Sequence, residues 1–216
     1  MDSYQKEQYN TLEMVAGYLA TLDHLKREDL VERKDLKNGI EDYLMFRKQV
    51  DVFLADHFTE ICTQACYKSR LSACCSREGI IIFFADVVIN ALYSVRPELN
   101  KLLRVLKEPN HGYKCIFLSE KGCLWNIKPI ICQLFLCDRA ENEVLIDRPG
   151  LRRKWNEFKQ KKKAFTWPDR PVLFDCIERH FMDAGYSSPL MYFHNSPGLL
   201  RIKLAGKNGD EGGTSP

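Results

Sequence analysis

The side chains in this chain whose type and spacing could do chemistry are its thiols. Nine cysteines stand at positions 62, 66, 74, 75, 115, 123, 132, 137 and 176. Eight of them fall into two groups, Cys62-x3-Cys66-x7-Cys74-Cys75 and Cys115-x7-Cys123-x8-Cys132-x4-Cys137. Thiolates are the ligands shared by zinc and iron–sulfur clusters. Each group holds four thiols, enough for one tetrahedral zinc or one cubane 4Fe-4S cluster, and the eight could also be divided across the groups. Scattered core cysteines would not gather in this way. The odd count and the absence of a recognisable secretion signal argue against a disulfide framework. The expectation is a metal centre built from Cys62, Cys66, Cys74, Cys75, Cys115, Cys123, Cys132 and Cys137.

Spacing narrows the choice of metal a little. Zinc knuckles carry cysteine pairs two to four residues apart. Only Cys62/Cys66 and Cys132/Cys137 come close, and no C-x2-C pair exists. The flanks Ile116, Phe117, Ile130, Ile131, Leu134 and Phe135 form an apolar shell that suits either centre. An iron–sulfur cluster is the first expectation and zinc the second. The adjacent Cys74 and Cys75 cannot easily share one tetrahedral metal, so one packs or each serves a different ion. A radical enzyme that cleaves S-adenosylmethionine would need C-x3-C-x2-C, and position 69 is serine.

His57 and His111 lie near the cysteines and are secondary candidates, each more ordinarily a surface or loop histidine. Cys176, with Leu173, Ile177 and His180 on one helix, reads as a buried small hydrophobe. The run from Arg152 to Lys163 is basic with interleaved Trp155 and Phe158. Phosphate contact is one reading. A solvated helix with its aromatic side on the core is the simpler one. No Ser-His-Asp order, phosphate loop or dinucleotide fingerprint is present. Glu41-Asp42 reads as a solvating pair.

The elements that must position the thiols are mostly helical. Leu12, Val15, Leu19, Leu22 and Leu25 recur at helical steps within residues 4–27. Ile40, Tyr43, Phe46, Val50, Phe53, Leu54, Phe58 and Ile61 repeat the signal over 40–61. The charged stretch between them ends at Asn38-Gly39, which predicts a turn or helix end. Cys62 and Cys66 then share one face of a continuing helix. Further helices are expected from Ala85 to about residue 94, over 97–107 with Pro97 in the first turn, over 151–165 and over 172–184. Ile80 to Phe83 could form a strand, and the loop 109–112 leads to a hairpin or extended segment over 115–125 with a turn at 119–122. The turn-rich segment 187–198 could close over the cluster as a loop or lie along the core as a strand.

The later cysteine group carries a resemblance. Cys115-Ile-Phe-Leu…Gly122-Cys123-Leu-Trp-Asn-Ile-Lys-Pro129-Ile-Ile-Cys132 resembles the YkgJ-type cysteine-cluster family, whose motif runs C-P-F-L…G-x-C-x-I-Y-x-x-R-P-x-x-C-R. Cys115, Phe117, Leu118, Gly122, Cys123, Pro129 and Cys132 match it. Cys62, Cys66, Cys74 and Cys75 resemble its first group, with a longer gap before Cys74. Lys128 and Gln133 stand where the family has arginine, and Trp125-Asn126 replaces Ile-Tyr. The resemblance covers about residues 62–137. It implies a zinc- or iron-chelating domain, related to flagellin lysine-N-methylase. A methyltransferase-like activity would need a cofactor loop that no motif here supplies.

The chain of 216 residues is 45% hydrophobic and 28% charged, with a net charge of +3. That is an ordinary globular balance, long enough for a sizeable core. The charge is too small to imply nucleic acid by itself. The apolar run after Gly79 is broken by Asp86, far short of the roughly 20 residues of a membrane span. The expectations are a cytoplasmic, mainly α protein. One helical domain with a hairpin-like cysteine-rich segment would occupy residues 1–205, with its metal-binding core at 62–137 and a basic helical part at 148–185. Residues 206–216 are expected to be a disordered tail. Its partners are the metal or cluster and a protein or redox partner, with no membrane and no nucleic acid. Whether it is an enzyme stays open.

Overall fold

A computed structural model describes residues 3–27, 30–71, 74–76, 81–108, 112–167, 169–192, 195, 198 and 200–203. The expected disordered tail and His111 lie outside these residues. The described chain is mainly helical. Its helices are α1 (Ser3–Arg27), α2 (Leu30–Phe58), α3 (Phe84–Tyr93), α4 (Arg96–Lys107), α5 (Ile130–Gln133), α6 (Asp138–Leu145), α7 (Pro149–Thr166) and α8 (Leu173–Asp183). Two short strands, β1 (Leu118–Ser119) and β2 (Gly122–Cys123), form an antiparallel hairpin with Leu118 opposite Cys123. Among the described residues no helix is long and apolar enough to cross a membrane.

Helix α3 is the centre of the molecule. Every residue from Phe84 to Ala91 is buried, polar Asp86 and Asn90 included. Its entry is fixed by Asp86, which reaches back to the Phe83 N–H at 3.1 Å. Helices α1 and α4 pack on one side of it, around Tyr18, Val87, Leu99, Leu102, Phe117 and Trp125. Helices α2, α7 and α8 pack on the other, around Phe46, Phe53, Val88, Trp155, Phe174 and Phe181. Leu36, Leu92 and Leu190 touch both apolar groups and join them. Spacing explains the buried faces. In α4 the buried residues are Leu99, Leu102 and Leu106, and in α8 they include Phe174, Ile177 and Phe181, at steps of three and four. Each such side chain contributes about 1.5–3 kcal/mol by leaving water.

The expected break at Asn38-Gly39 does not occur, and α2 runs straight through it. Tyr43 and Ile40 are fully buried and Leu36 packs beside them, so one apolar stripe spans the glycine. Packing of that stripe outweighs the roughly 1 kcal/mol that glycine costs in a helix. A Cβ at Gly39 would meet nothing within 4 Å. Gly39→Ala is therefore expected to raise stability by about 0.4–1 kcal/mol, measured by urea unfolding. An unchanged or lower midpoint would show that α2 bends at this position in solution.

Helix α7 buries Trp155 and Phe158 and turns its basic residues outward. Trp155 Nε1 donates to Glu141 Oε1 at 3.0 Å, and Lys159 Nζ donates to the same oxygen at 2.7 Å. Burial pushes the Glu141 carboxyl up, but these two donors prevail and hold it below its ordinary value of 4.5. A depressed carboxyl contributes stability that is present above its unfolded pKa and lost as pH falls through the folded value. Glu141→Gln should flatten the loss of stability below about pH 4.5, read from unfolding midpoints on an acid series.

Two further expectations are corrected. Cys176 is exposed rather than buried, because α8 turns Phe174, Ile177 and Phe181 inward and leaves position 176 on the outer side. The segment after Ser187 neither covers the cluster nor forms a strand among the described residues. Pro189–Tyr192 is a 3-10 turn. It packs against α1 and α8, with Met191 fully buried. Likewise Ile81 to Phe83 form no strand.

Candidate metal centre

The first pair of thiols sits on an unusual helix. Beyond Phe58 the chain widens into a π-helix, Thr59–Tyr67. Five-residue hydrogen bonds continue past its end, from Lys68 N–H to Thr63 O and from Leu71 N–H to Cys66 O, both 3.0 Å. Such widened turns collect at functional sites. Here the widening keeps Cys62 and Cys66 on one side, and both line the same cavity. Cys74 follows on a turn, and Cys75 leads into the bridge at Ser76.

This group is tied to the hairpin by backbone and side-chain contacts. Cys115 N–H donates to Cys75 O at 3.0 Å, and Ser76 forms an antiparallel bridge with Lys114. The Lys114 ammonium donates to Leu71 O. Tyr67 OH donates to Ser119 O at 2.9 Å. The expected hairpin is present, and its turn uses Gly122 at φ +105°, a conformation that favours glycine. Leu118 N–H donates to Cys115 O at 3.0 Å, and the nearby backbone N–H groups of Phe117 and Leu118 work to lower the Cys115 thiol, as that of Trp125 does for Cys123. Donors of this kind favour a thiolate.

A loop carries the chain from Cys123 to Cys132, and α3 holds it. Asn90 Oδ1 accepts from Ile127 N–H at 2.9 Å, and Asp86 Oδ1 accepts from Ile130 N–H at 3.1 Å. Buried Arg47 of α2 adds a third support, donating to Lys128 O at 2.6 Å and to Tyr43 OH at 2.7 Å. Gln133 donates to Arg47 O and Asp51 Oδ1. Cys132 lies in α5, and Cys137 is the N-cap of α6, beside the partial positive charge of that helix end.

A cavity of about 340 Å3 opens between the π-helix and α6. Five cysteines line it, Cys62, Cys66, Cys74, Cys75 and Cys137, together with Ile61, Tyr67, Leu71, Phe135 and Leu136 on its apolar side. Arg139 stands at its edge, held by Glu143 at 2.6 Å. The remaining three thiols, Cys115, Cys123 and Cys132, do not line this cavity. As they stand, no three Cys, His, Asp or Glu side chains among the described residues converge at metal-holding distance.

The thiols nevertheless sense one another. Burial, then the charges of Cys74, Cys137 and Cys66, push the Cys62 thiol up to about 11. Burial pushes Cys115 up to about 11, against the opposing Phe117 N–H. Cys132 is pushed up to about 12 by burial and by Cys115, Cys123, Asp86 and Cys74. Cys132 and Cys74 are nevertheless exposed as residues. Cys74 and Cys75 share a thiol hydrogen bond that raises the first and lowers the second. Lys128 opposes these upward shifts at Cys62, Cys74 and Cys123. Cys62, Cys74, Cys115, Cys123 and Cys132 are therefore held toward their protonated form, and a binding cation would have to displace those protons.

All eight cysteines singled out by spacing thus lie around one region between the π-helix, the hairpin and α5–α6. His57 is turned away onto the Phe53 ring, with centroids 4.9 Å apart, and does not line the cavity. Sequence reasoning missed Asp86, Asn90, Arg47 and Arg139. A buried Asp and Asn four apart in an apolar helix was the signal that could have found the first two. No protein-family model, curated protein or solved structure matches the chain.

Proposed function

We propose that this chain is a thiolate metalloprotein that holds an iron–sulfur cluster or zinc through Cys62, Cys66, Cys74, Cys75, Cys115, Cys123, Cys132 and Cys137. The observation that carries the reading is the hairpin. It carries Cys123 on a strand, joins Cys115 to Cys75 by a backbone hydrogen bond, and so stands next to a cavity lined by five thiols. Soft sulfur donors select zinc, copper(I) and iron–sulfur clusters over hard cations. The resemblance of residues 62–137 to the YkgJ-type family points the same way. Bound iron–sulfur would supply electron transfer, and bound zinc a cross-link between distant segments. The chain's own part would be to present the thiols from the π-helix, the hairpin and α5–α6, to release their protons to solvent on binding, and to keep apolar walls around the site.

Anaerobic purification followed by elemental analysis and absorbance at about 400 nm tests this. A coloured protein with iron and sulfide supports a cluster and a redox partner. A colourless protein with stoichiometric zinc supports a structural centre that staples an interaction module. A chain that keeps neither metal, and binds neither on reconstitution, overturns the proposal.

A further inference from the structure

We infer that the outward face of α7 is a binding surface for nucleic acid, with lysine and arginine on its flanks for the phosphates and Arg153, Asn156 and Gln160 on its crest for the bases. This surface is separate from the thiol cavity, and the inference holds whether or not a metal is bound. The small net charge of +3 conceals it. Residues 148–170 hold nine Lys/Arg against two Asp/Glu, so the rest of the chain is net negative.

Core packing accounts for the aromatic side of α7 but not for its cations. Trp155 and Phe158 are buried. Lys154 and Lys159 pair with Glu157 and Glu141, and Arg152 also acts on Glu141. Arg153, Lys161, Lys162 and Lys163 make no ion pair among the described residues. Lys162 is crowded as well: burial, then Lys163 and Lys159, push its ammonium down. An anion laid along this side relieves that repulsion.

The layout suits a strand of phosphates. Helical spacing puts Lys154 and Lys161 on one flank and Arg152 and Lys163 on the other. Between them Arg153, Asn156, Gln160 and Ala164 form an exposed crest. Asn156 and Gln160 make no side-chain hydrogen bond among the described residues. Arg, Asn and Gln are the side chains that read base edges, and flanking cations neutralise phosphates. The carboxylate beside the crest, Glu157, is held by Lys154 at 3.2 Å. Trp167, directly after the helix, is 42% exposed, and Lys163 Nζ lies 5.0 Å from its ring centroid. An exposed indole beside a cation is a stacking platform for a base. The 18 residues of α7 span about 27 Å, long enough to meet several consecutive phosphates. A lipid surface fits less well, because a helix lying on a membrane turns its apolar side to the lipid, and that side of α7 is in the core.

The test is fluorescence anisotropy of the full chain with a labelled mixed-sequence RNA strand and with a labelled DNA duplex, each over a series of salt concentrations. The logarithm of the association constant should fall linearly with the logarithm of salt. Lys161→Gln and Lys163→Gln should each weaken binding and make that line shallower, by about 0.7 on the strand or about 0.9 on the duplex. Asn156→Ala and Gln160→Ala should keep the slope and reduce the preference among homopolymer strands. Lys101→Gln and Lys107→Gln remove the same charge from exposed positions on α4 and should leave binding unchanged. Tighter binding of the strand or of the duplex supports the inference equally and tells which form the surface takes. No binding of either probe at low salt overturns it. So does equal weakening by the α4 and α7 variants, which would mean bulk charge alone. Binding of polyglutamate or of phosphatidylserine vesicles as tight as that of nucleic acid also overturns it, in favour of an acidic protein or a membrane surface.

Discussion

Cys123→Ser and Cys132→Ser should each strip metal from the protein and destabilise it, while Cys176→Ser should do neither. The reasoning is linkage. A metal that binds only the folded chain adds about 4 kcal/mol of stability when its free concentration is a thousand times its dissociation constant. The proposed ligands lie on segments as far apart as the π-helix and the start of α6, so binding free energy would be folding free energy. Serine is close to cysteine in size but a poor ligand for a soft metal. The loss should therefore appear in the metal-loaded protein and largely vanish when wild type and variant are both compared after chelation. Elemental analysis and urea unfolding, each with and without chelator, give the four measurements. Cys176 is exposed on α8 and touches no part of the cavity. Metal loss in the Cys176 variant with retention in the Cys123 variant would show that the ligand set is wrong.

The sequence made the helices legible and left the arrangement of the thiols hidden. Apolar steps of three and four residues located α3, α4, α7 and α8 to within a residue or two, because each helix has one stripe facing a common core. The hairpin was readable from Gly122, whose positive φ few other residues would accept. Gly39 misled, since local propensity is a weak force beside a buried stripe running from Leu36 to Tyr43. The π-helix had no local signature: its widening shows only in the five-residue hydrogen bonds at its end. Cys176 was misplaced because Leu173 and Ile177 beside it suggested burial, when the inward face actually runs through Phe174, Ile177 and Phe181. The grouping of the eight thiols was hidden for a different reason. Cys75 meets the hairpin and Cys137 shares a cavity with the π-helix through contacts spanning tens of residues, and spacing along the chain carries no information about such contacts.

Asp86 holds the loop that leads to Cys132, and Asp86→Ala should cost about 3–5 kcal/mol. The residue is 3% exposed, and each of its oxygens accepts a backbone N–H, one from Ile130 and one from Phe83 at the start of α3. Truncation leaves both donors buried without their acceptor, at about 1–3 kcal/mol each, with a further loss because the acceptor was charged. Asn90, one turn on, holds Ile127 in the same loop. Asn90→Ala should cost somewhat less, and the pair should couple by about 0.5–3 kcal/mol because both act on residues 127–130. Stability alone would not separate a positioning role from ordinary core packing, but metal affinity would. Supports behind metal ligands are typically worth about 10–100-fold in affinity, and Asp86 holds the N–H of Ile130 two residues before Cys132. Asp86→Asn keeps the shape and removes the charge. That charge also helps hold the Cys132 thiol up, behind the larger effects of burial, Cys115 and Cys123. In metal-free protein Asp86→Asn should therefore let Cys132 ionise at lower pH and alkylate faster, whereas Cys62, governed chiefly by burial, Cys74, Cys137 and Cys66, should nearly keep its rate. Equal acceleration at both cysteines would mean that the substitution merely loosens the fold.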